Sequence, residues 1–318
     1  MHLLLVKTSS LGDVIHNLPV ASDLRRAFPE ATIDWCVEES FAEIPRLHPE
    51  VSNVIPVAIR RWRKHLGSTQ TWKEIRAFRH RIGTTDYDAV LDTQGLIKSG
   101  LISRLAHGTR YGYAAEVARE RFAARFYDKT FIIPLNAHAV VRNRWLGAAS
   151  FDYPVDFPLD YGISAPSLEL QWLHTERHAV LLAATSRDDK LWPEAHWIAL
   201  GQELIKRGLS PVFPSGKAVE RARAERIAAE VPGAVVAPQL NLRELAALLG
   251  GATIAVGVDT GLAHLATALR VPTIALYVTT DPALTGVLGC GYFRNLGGIG
   301  QTPSVFEVLN AAEPVIRQ

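Results

Sequence analysis

The 318-residue chain is 48% apolar and 21% charged, and 34 lysines and arginines against 32 aspartates and glutamates leave a formal net charge of +2. A balance so near neutrality excludes a general affinity for nucleic acid, so any polyanion site must come from local clustering. The length exceeds one ordinary hydrophobic core and implies two domains, while no apolar run approaches the ~20 residues of a membrane span.

The chain opens on "LLLVKTSSLGD", residues 3–13. Leu3 to Val6 reads as a strand, with no charged segment and long apolar stretch of a signal peptide ahead of it; the expectation is a cytosolic protein that can still work at a membrane surface. The turn after it has neither the Gly-x-Gly-x-x-Gly of a dinucleotide fold nor the Gly-Lys-Ser/Thr of a P-loop. It carries Asp13 instead, either an N-cap or a base at the mouth of an open sheet. Pro19 frees the carbonyl of Ile15 and kinks the following helix.

A strand at Thr32 to Val37 holds Cys36, which with the distant Cys290 reads as a pair of buried thiols. Next, "IRRWRKH" at 59–65 packs Arg60, Arg61, Arg63 and Lys64 around Trp62, a credible anion patch because the chain is otherwise near neutral. A helix spans Thr71 to Arg81 and a strand Ala89 to Leu91. "DYD" at 86–88 mimics a metal-holding Asp-x-Asp but precedes its strand, so it lies at the wrong sheet edge and is rejected. Lys98, Arg119 and Arg121 could join the basic patch. From Phe151 to Gln171, Pro154, Pro158 and Pro166 forbid a long helix and mark the interdomain linker.

The second half begins like the first, with a strand at Ala179 to Ala183 running into "ATSRDDKLWPEAHW". Thr185 and Ser186 offer hydroxyls there, and Lys190 a point charge suited to a leaving phosphate. Helices at Trp197 to Lys206, Val219 to Ala229 and Leu242 to Leu249 alternate with strands at Ser210 to Phe213, Thr253 to Val258 and Thr273 to Val278. Glu220, in the second of these helices, can take ribose hydroxyls. After the strand ending at Val258, "GVDTGLAHLATAL" places Asp259 as a helix cap, Gly261 beside exposed amides, and Thr260 and His264 on one face. Apolar, non-alternating strands separated by helices imply parallel βαβ units. No other cluster has metal-ligand spacing.

Taken together, "VKTSSLGDVIHNLP", "VIPVAIRRWRKH", "DTQGLIKS", "RDDKLWPEAHW" and "VDTGLAHL" closely resemble the lipopolysaccharide heptosyltransferase I family, from the N-terminus to about residue 285. The resemblance implies an α/β GT-B fold, two Rossmann-like doubly wound parallel-sheet domains facing across a cleft. The first (1–160) would bind the acceptor and the second (172–300) the donor, with a C-terminal helix (301–318) packing back on the first. It implies an inverting, metal- and cofactor-free transfer of L-glycero-D-manno-heptose from ADP-heptose to the inner Kdo of lipid A. The enzyme would be a monomer, peripheral on the cytoplasmic face of the inner membrane. By matching position, Asp13 is the base and Lys190 assists departure. Thr185, Ser186, Lys190, Glu220, Asp259, Thr260, Gly261 and His264 hold the donor; Arg60, Arg61, Arg63, Lys64, Lys98, Arg119 and His138 hold the acceptor. Ser186 stands where the family has a second threonine, and "YVTTDP" at 277–282 lacks the proline of the usual Tyr-Gly-Pro-Thr-Asp-Pro. The rival readings are a heptosyltransferase for a later acceptor, a sugar-nucleotide epimerase on the same plan, and a non-catalytic nucleotide-sugar binder.

Overall fold

The structure, a computed structural model, describes residues 1–175, 177–185 and 187–317. The chain divides into two compact units, Met1–Gly162 and Ile163–Gln318. In the first, six parallel strands form one sheet: β1 (His2–Val6), β2 (Thr32–Glu38), β3 (Asn53–Val57), β4 (Asp86–Asp92), β5 (His107–Tyr113) and β6 (Lys129–Phe131). Their order is β3-β2-β1-β4-β5-β6. The helices of this unit are α1 (Leu11–Ile15), α2 (Leu18–Ala27), α3 (Glu43–Arg46), α4 (Ile59–Trp62), α5 (Thr69–Gly83), α6 (Ile97–Leu105) and α7 (Ala139–Phe151).

The second unit repeats the plan with β7 (His178–Leu182), β8 (Ser210–Phe213), β9 (Val235–Val236), β10 (Ile254–Val258), β11 (Thr273–Tyr277) and β12 (Phe293–Gly297). Its order, β12-β11-β10-β7-β8-β9, is the same doubly wound arrangement. Its helices are α8 (Glu194–Lys206), α9 (Ala218–Ala229), α10 (Leu242–Gly250), α11 (Gly261–Ala268), α12 (Pro282–Thr285) and α13 (Val305–Ile316). Leu4, Leu5 and Val6 of β1, like Val180 and Leu181 of β7, are fully buried, as strands covered on both faces must be.

The C-terminal helix belongs to the second unit, where Val308, Ala312 and Ile316 of α13 join the core with Trp197, Leu200 and Ile274. The boundary between the units falls within the Pro-rich stretch 151–171; α7 runs through Phe151, and the residues after it up to Gly162 are tied to the first unit. Arg26 binds the Pro158 carbonyl and the Asp160 carboxylate at 2.8 and 2.9 Å, and Arg144 binds the Phe157 carbonyl. Pro19 does not kink one helix; it lies in the first turn of a second, where its missing N–H is harmless. Cys36 is a buried free thiol, but Cys290 is exposed.

His48 locks the end of the first unit. Gly162, at φ +66°, crosses the His48 ring so closely that a Cβ there would lie 2.2 Å from Nε2. The ring is 1% exposed; its Nδ1 accepts from the Glu50 N–H at 3.2 Å, so the neutral ring carries its proton on Nε2, 3.0 Å from Ser22 Oγ. Burial pushes its pKa from 6.5 down to about 4, against the pull of Glu50 and Asp160. Between those values the unfolded chain takes up a proton that the fold refuses. Stability therefore falls as pH drops through the window, by about 3 kcal/mol at full extent. Urea unfolding should show the loss beginning near pH 6.5, above the carboxylate range. His48→Gln should flatten the slope there; an unchanged slope would place the titration elsewhere.

Candidate functional site

In each sheet the strand order reverses beside the first strand, between β1 and β4 and between β7 and β10. The loops beyond those strand ends flank a crevice, the usual ligand position in such sheets. The sequence-predicted residues on the loops after β1, β4, β7 and β10 lie at those two points.

In the first unit, Val6 at the end of β1 is in register with Asp92 at the end of β4. The loop after β4 then folds back. Buried Asp92 accepts from the Gln94 and Gly95 N–H groups at 2.8 and 3.3 Å and from the Tyr127 hydroxyl at 2.7 Å. Gln94 in turn presents its Oε1 to the N–H groups of Thr8 and Ser9, at 2.9 and 3.1 Å. The turn that delivers Asp13 is thus held by a side chain from the neighbouring strand end. Asp13 is not the N-cap of α1: Ser10 is, and Asp13 occupies the third helical position. It accepts from Ser10 N–H at 2.8 Å, Ser10 Oγ at 3.2 Å and Arg119 Nη1 at 3.1 Å. All three bonds fall on Oδ2, so among the described residues Oδ1 is the oxygen left to take a proton.

The surrounding charge is positive. Burial alone would raise the Asp13 pKa, but Lys7, Arg119 and the Ser10 N–H outweigh it and hold the carboxyl below its ordinary value. Lys7 is 4% exposed, with Nζ 2.6 Å from the Thr93 carbonyl and 3.4 Å from Asn143 Oδ1. Burial pushes its pKa down to about 8, with Asp13 pulling the other way. Lys98 reaches Ser9 Oγ at 2.6 Å, and burial, then Arg60, lower its pKa. Arg60 lies 5.1 Å from the Phe41 ring centre, and its N–H donates to Glu38. His138 caps α7, its Nδ1 accepting from Val140 N–H at 3.2 Å, and its ring lies 5.6 Å from that of His16. Asp13, Lys98, Arg119 and Arg60 therefore share one electrostatic neighbourhood. Arg61 stands apart, tied to Glu39 and Glu74 at 2.9 and 2.8 Å, while Arg63 and Lys64 are exposed.

In the second unit, Asp259 is the hub and not the helix cap, a place taken by Thr260. Its carboxylate Oδ2 receives Lys190 Nζ at 2.5 Å and Thr280 Oγ1 at 2.9 Å, and its carbonyl accepts from Thr185 Oγ1 at 3.0 Å. The loops after β7, β10 and β11 thus converge on the start of α11. Gly261 is the first residue of that helix, where unpaired N–H groups and the dipole favour an anion. His264 is 7% exposed on the same helix. Glu220 takes the third position of α9, its Oε2 accepting from the Gly216 and Lys217 N–H groups at 2.9 and 3.1 Å. That leaves Oε1 for a ligand hydroxyl. Ser186 lies outside the described residues.

Among the described residues no three histidine, cysteine or acidic side chains group to hold a metal ion. Asp86 and Asp88 prove to be inside β4, at its first residues, and Asp88 accepts from the His2 N–H at 2.7 Å at the far edge of the sheet. Sequence reasoning missed Lys7, Gln94 and Thr280. The signals were a lysine directly ending an apolar strand, the glutamine of "DTQG" and the second threonine of "YVTTDP".

Residues 75–306 match glycosyltransferase family 9 (heptosyltransferase). The chain is 47% identical over 291 residues to lipopolysaccharide heptosyltransferase 1 of Pseudomonas aeruginosa, covering 91% of this chain and 82% of that one. Among solved structures, E. coli heptosyltransferase WaaC with ADP is 41% identical with a TM-score of 0.89, covering 99% of both chains. The same enzyme with ADP-2-deoxy-2-fluoro heptose gives 40% and 0.87, again over 99% of both.

If the Asp259 hub is a pyrophosphate cradle, ADP is a direct probe of it. Lys190→Met should weaken ADP binding ~10-fold or more, as loss of a charge-assisted contact does, and Thr280→Val by ~3- to 10-fold through its hold on Asp259. Calorimetric affinities unchanged in both variants would contradict the arrangement.

Proposed function

The chain belongs to glycosyltransferase family 9 and is a heptosyltransferase of lipopolysaccharide inner-core synthesis, and from that premise we propose how its residues divide the reaction. The observation that carries the proposal is the opposite chemistry of the two switch points. At one, Asp13 lies among Lys7, Lys98 and Arg119, with Oδ1 unengaged among the described residues. At the other, the carboxylate of Asp259 is already taken by Lys190 and Thr280, and what faces outward is a lysine, threonine hydroxyls and the start of a helix.

The second unit takes ADP-heptose. Lys190 and the first amides of α11 meet the pyrophosphate, Thr185 and Thr260 supply hydroxyls, and Glu220 Oε1 receives the ribose. The first unit takes the Kdo-bearing lipid A. Arg60, Arg63, Lys64 and Lys98 bind its anionic groups, Arg119 links them to the base, and His138 lies beside the end of α1. Asp13 Oδ1 accepts the proton of the Kdo hydroxyl as its oxygen attacks the anomeric carbon. The bond to the ADP oxygen breaks in line, inverting the centre, and the charge that develops on ADP is met by Lys190 and the helix start. No metal takes part, because that cation and that helix end fill its role. Arg61 serves the fold, since both its carboxylate partners are internal. Histidine and arginine side chains that address a polyanion at this site serve the acceptor and no nucleic acid. The enzyme acts as a monomer at the cytoplasmic face of the inner membrane; among the described residues no helix is long and apolar enough to cross one.

The deciding experiment is ADP release from ADP-heptose by chelator-treated protein, with and without the Kdo-bearing acceptor. Release should need the acceptor and persist without added metal; Asp13→Asn, which keeps the backbone bond at the helix start, should lower it ~100-fold or more. Acceptor-independent ADP release, magnesium dependence or near-normal turnover in Asp13→Asn would each refute the corresponding part.

The basic run gives a separate test. Replacing Arg60, Arg63 and Lys64 by glutamate should raise the acceptor KM ~10-fold or more, because several screened phosphate contacts act together. ADP affinity should stay unchanged. A variant that lost ADP and kept the acceptor would reverse the assignment of the two units.

A further inference from the structure

Helix α6 has two unlike faces. Ser99, Ile102 and Ser103 are buried, whereas Ile97, Leu101 and Arg104, four and three residues apart, form one outward row. Ile97 is 37% and Leu101 50% exposed. The 3-10 turn Arg121–Phe126 packs beside this helix. Gly100 approaches it so closely that a Cβ would lie 2.7 Å from the Phe126 ring, and Phe126 holds the Phe122 ring edge-on at 6.3 Å. Phe122 is itself 50% exposed, with the Arg125 guanidinium 4.6 Å from its ring centre. Single exposed apolar residues need no explanation, but three grouped together and rimmed by arginine mark an interaction surface.

The rim is positive, with Arg104 facing the Asp128 carboxyl, which Arg110 first and Arg104 in addition hold below its ordinary value. Among the described residues Arg104, Arg121 and Arg125 form no ion pair. The nearby carboxylates are engaged elsewhere: Glu120 with the Ile97 N–H at 2.6 Å and Asp128 with Arg110 at 2.6 Å. We propose that this patch is where the first unit rests on an anionic bilayer, with Ile97, Leu101 and Phe122 entering the headgroup region and the three arginines meeting lipid phosphates. Apolar and aromatic knobs set in a cationic rim are what interfacial binding requires. The patch also borders the site: Lys98, the residue after Ile97, reaches Ser9 Oγ beside Asp13. A bilayer at the patch therefore presents its lipids on the Lys98 side of the base. This proposal rests on the reading of the acceptor as a membrane lipid.

Cosedimentation with extruded vesicles tests it, comparing phosphatidylcholine alone with phosphatidylcholine containing roughly one-third phosphatidylglycerol. The parent should bind the anionic vesicles at least ~10-fold more tightly, and salt should weaken the binding. Leu101→Ser/Phe122→Ser and Arg104→Gln/Arg125→Gln should each lose ~10-fold. Val219→Ser, an exposed position of the second unit, should bind like the parent. Thermal melting and turnover on a deacylated, water-soluble acceptor should be unchanged in every variant. Equal binding to both vesicle types, or variants that sediment like the parent, would overturn the proposal. So would variants that sediment normally but lose turnover on the acylated acceptor in detergent, because the patch would then hold acyl chains. If the parent turned over neither the acylated nor the deacylated acceptor while the vesicle results held, the acceptor reading would fall and the docking surface would stand.

Discussion

Everything at the two sites depends on one topological constraint. Parallel strands require right-handed crossovers, so the chain leaves the first strand of each sheet toward one face and the fourth toward the other. The loops after β1 and β4, and after β7 and β10, are then forced apart at their base and share one opening. Within each unit this puts residues roughly 70 to 90 positions apart into hydrogen-bond contact: Gln94 with Thr8, and Lys190 with Asp259. No local sequence feature could bring those groups together.

The same constraint explains what is legible in the sequence. Strands β1, β7, β8, β10 and β11 carry apolar runs because they lie centrally or are covered on both faces, and β2 keeps one at 35–37 after Asp34; such runs can be read directly. Strand β3 contains Pro56, β5 is "HGTRYGY", β9 has two residues and β12 is "FRNLG". These are edge or outer strands, where glycine, proline and charge are tolerated, so periodicity gives no signal. Loop positions at the strand ends are equally legible, since a hydroxyl, lysine or aspartate just past an apolar run stands out. Their partners are not. Asp259 reads as a cap because spacing cannot separate a cap from the residue before it. Its true occupation, with Lys190 and Thr280, needs two other loops in place. Thr280 also shows how the altered "YVTTDP" segment keeps its use, because the threonine shared with the family pattern still reaches the hub.

Arg61 shows what a charge run conceals. The basic groups around Trp62 look equivalent in sequence, yet their contacts differ. Arg61 closes onto Glu39 and Glu74, and Trp62 donates to the same Glu74 at 2.8 Å while packing at 9% exposure in the core. One arginine thus fastens α4 to α5, and that fastening fixes where Arg60, Arg63 and Lys64 are offered. The opposite case is Lys7. It has no motif around it and is fully enclosed, yet it is the leading cation holding Asp13 ionised.

That last pairing carries a chemical consequence. A general base performs best with a pKa near the working pH, and the Asp13 carboxyl is held below the ordinary carboxylate range. At neutral pH it is always ionised and always a weak base, far too weak to remove a sugar hydroxyl proton in advance of attack. Under the division of the reaction proposed above, proton transfer would run late, after the new bond to carbon has begun to form and the hydroxyl has become acidic. In that proposal the drive for the bond comes from the departing pyrophosphate, whose charge Lys190 and the start of α11 would meet. The cations around Asp13 would then do two things: attract an anionic acceptor, and keep the proposed base ionised at the expense of strength that the leaving group supplies.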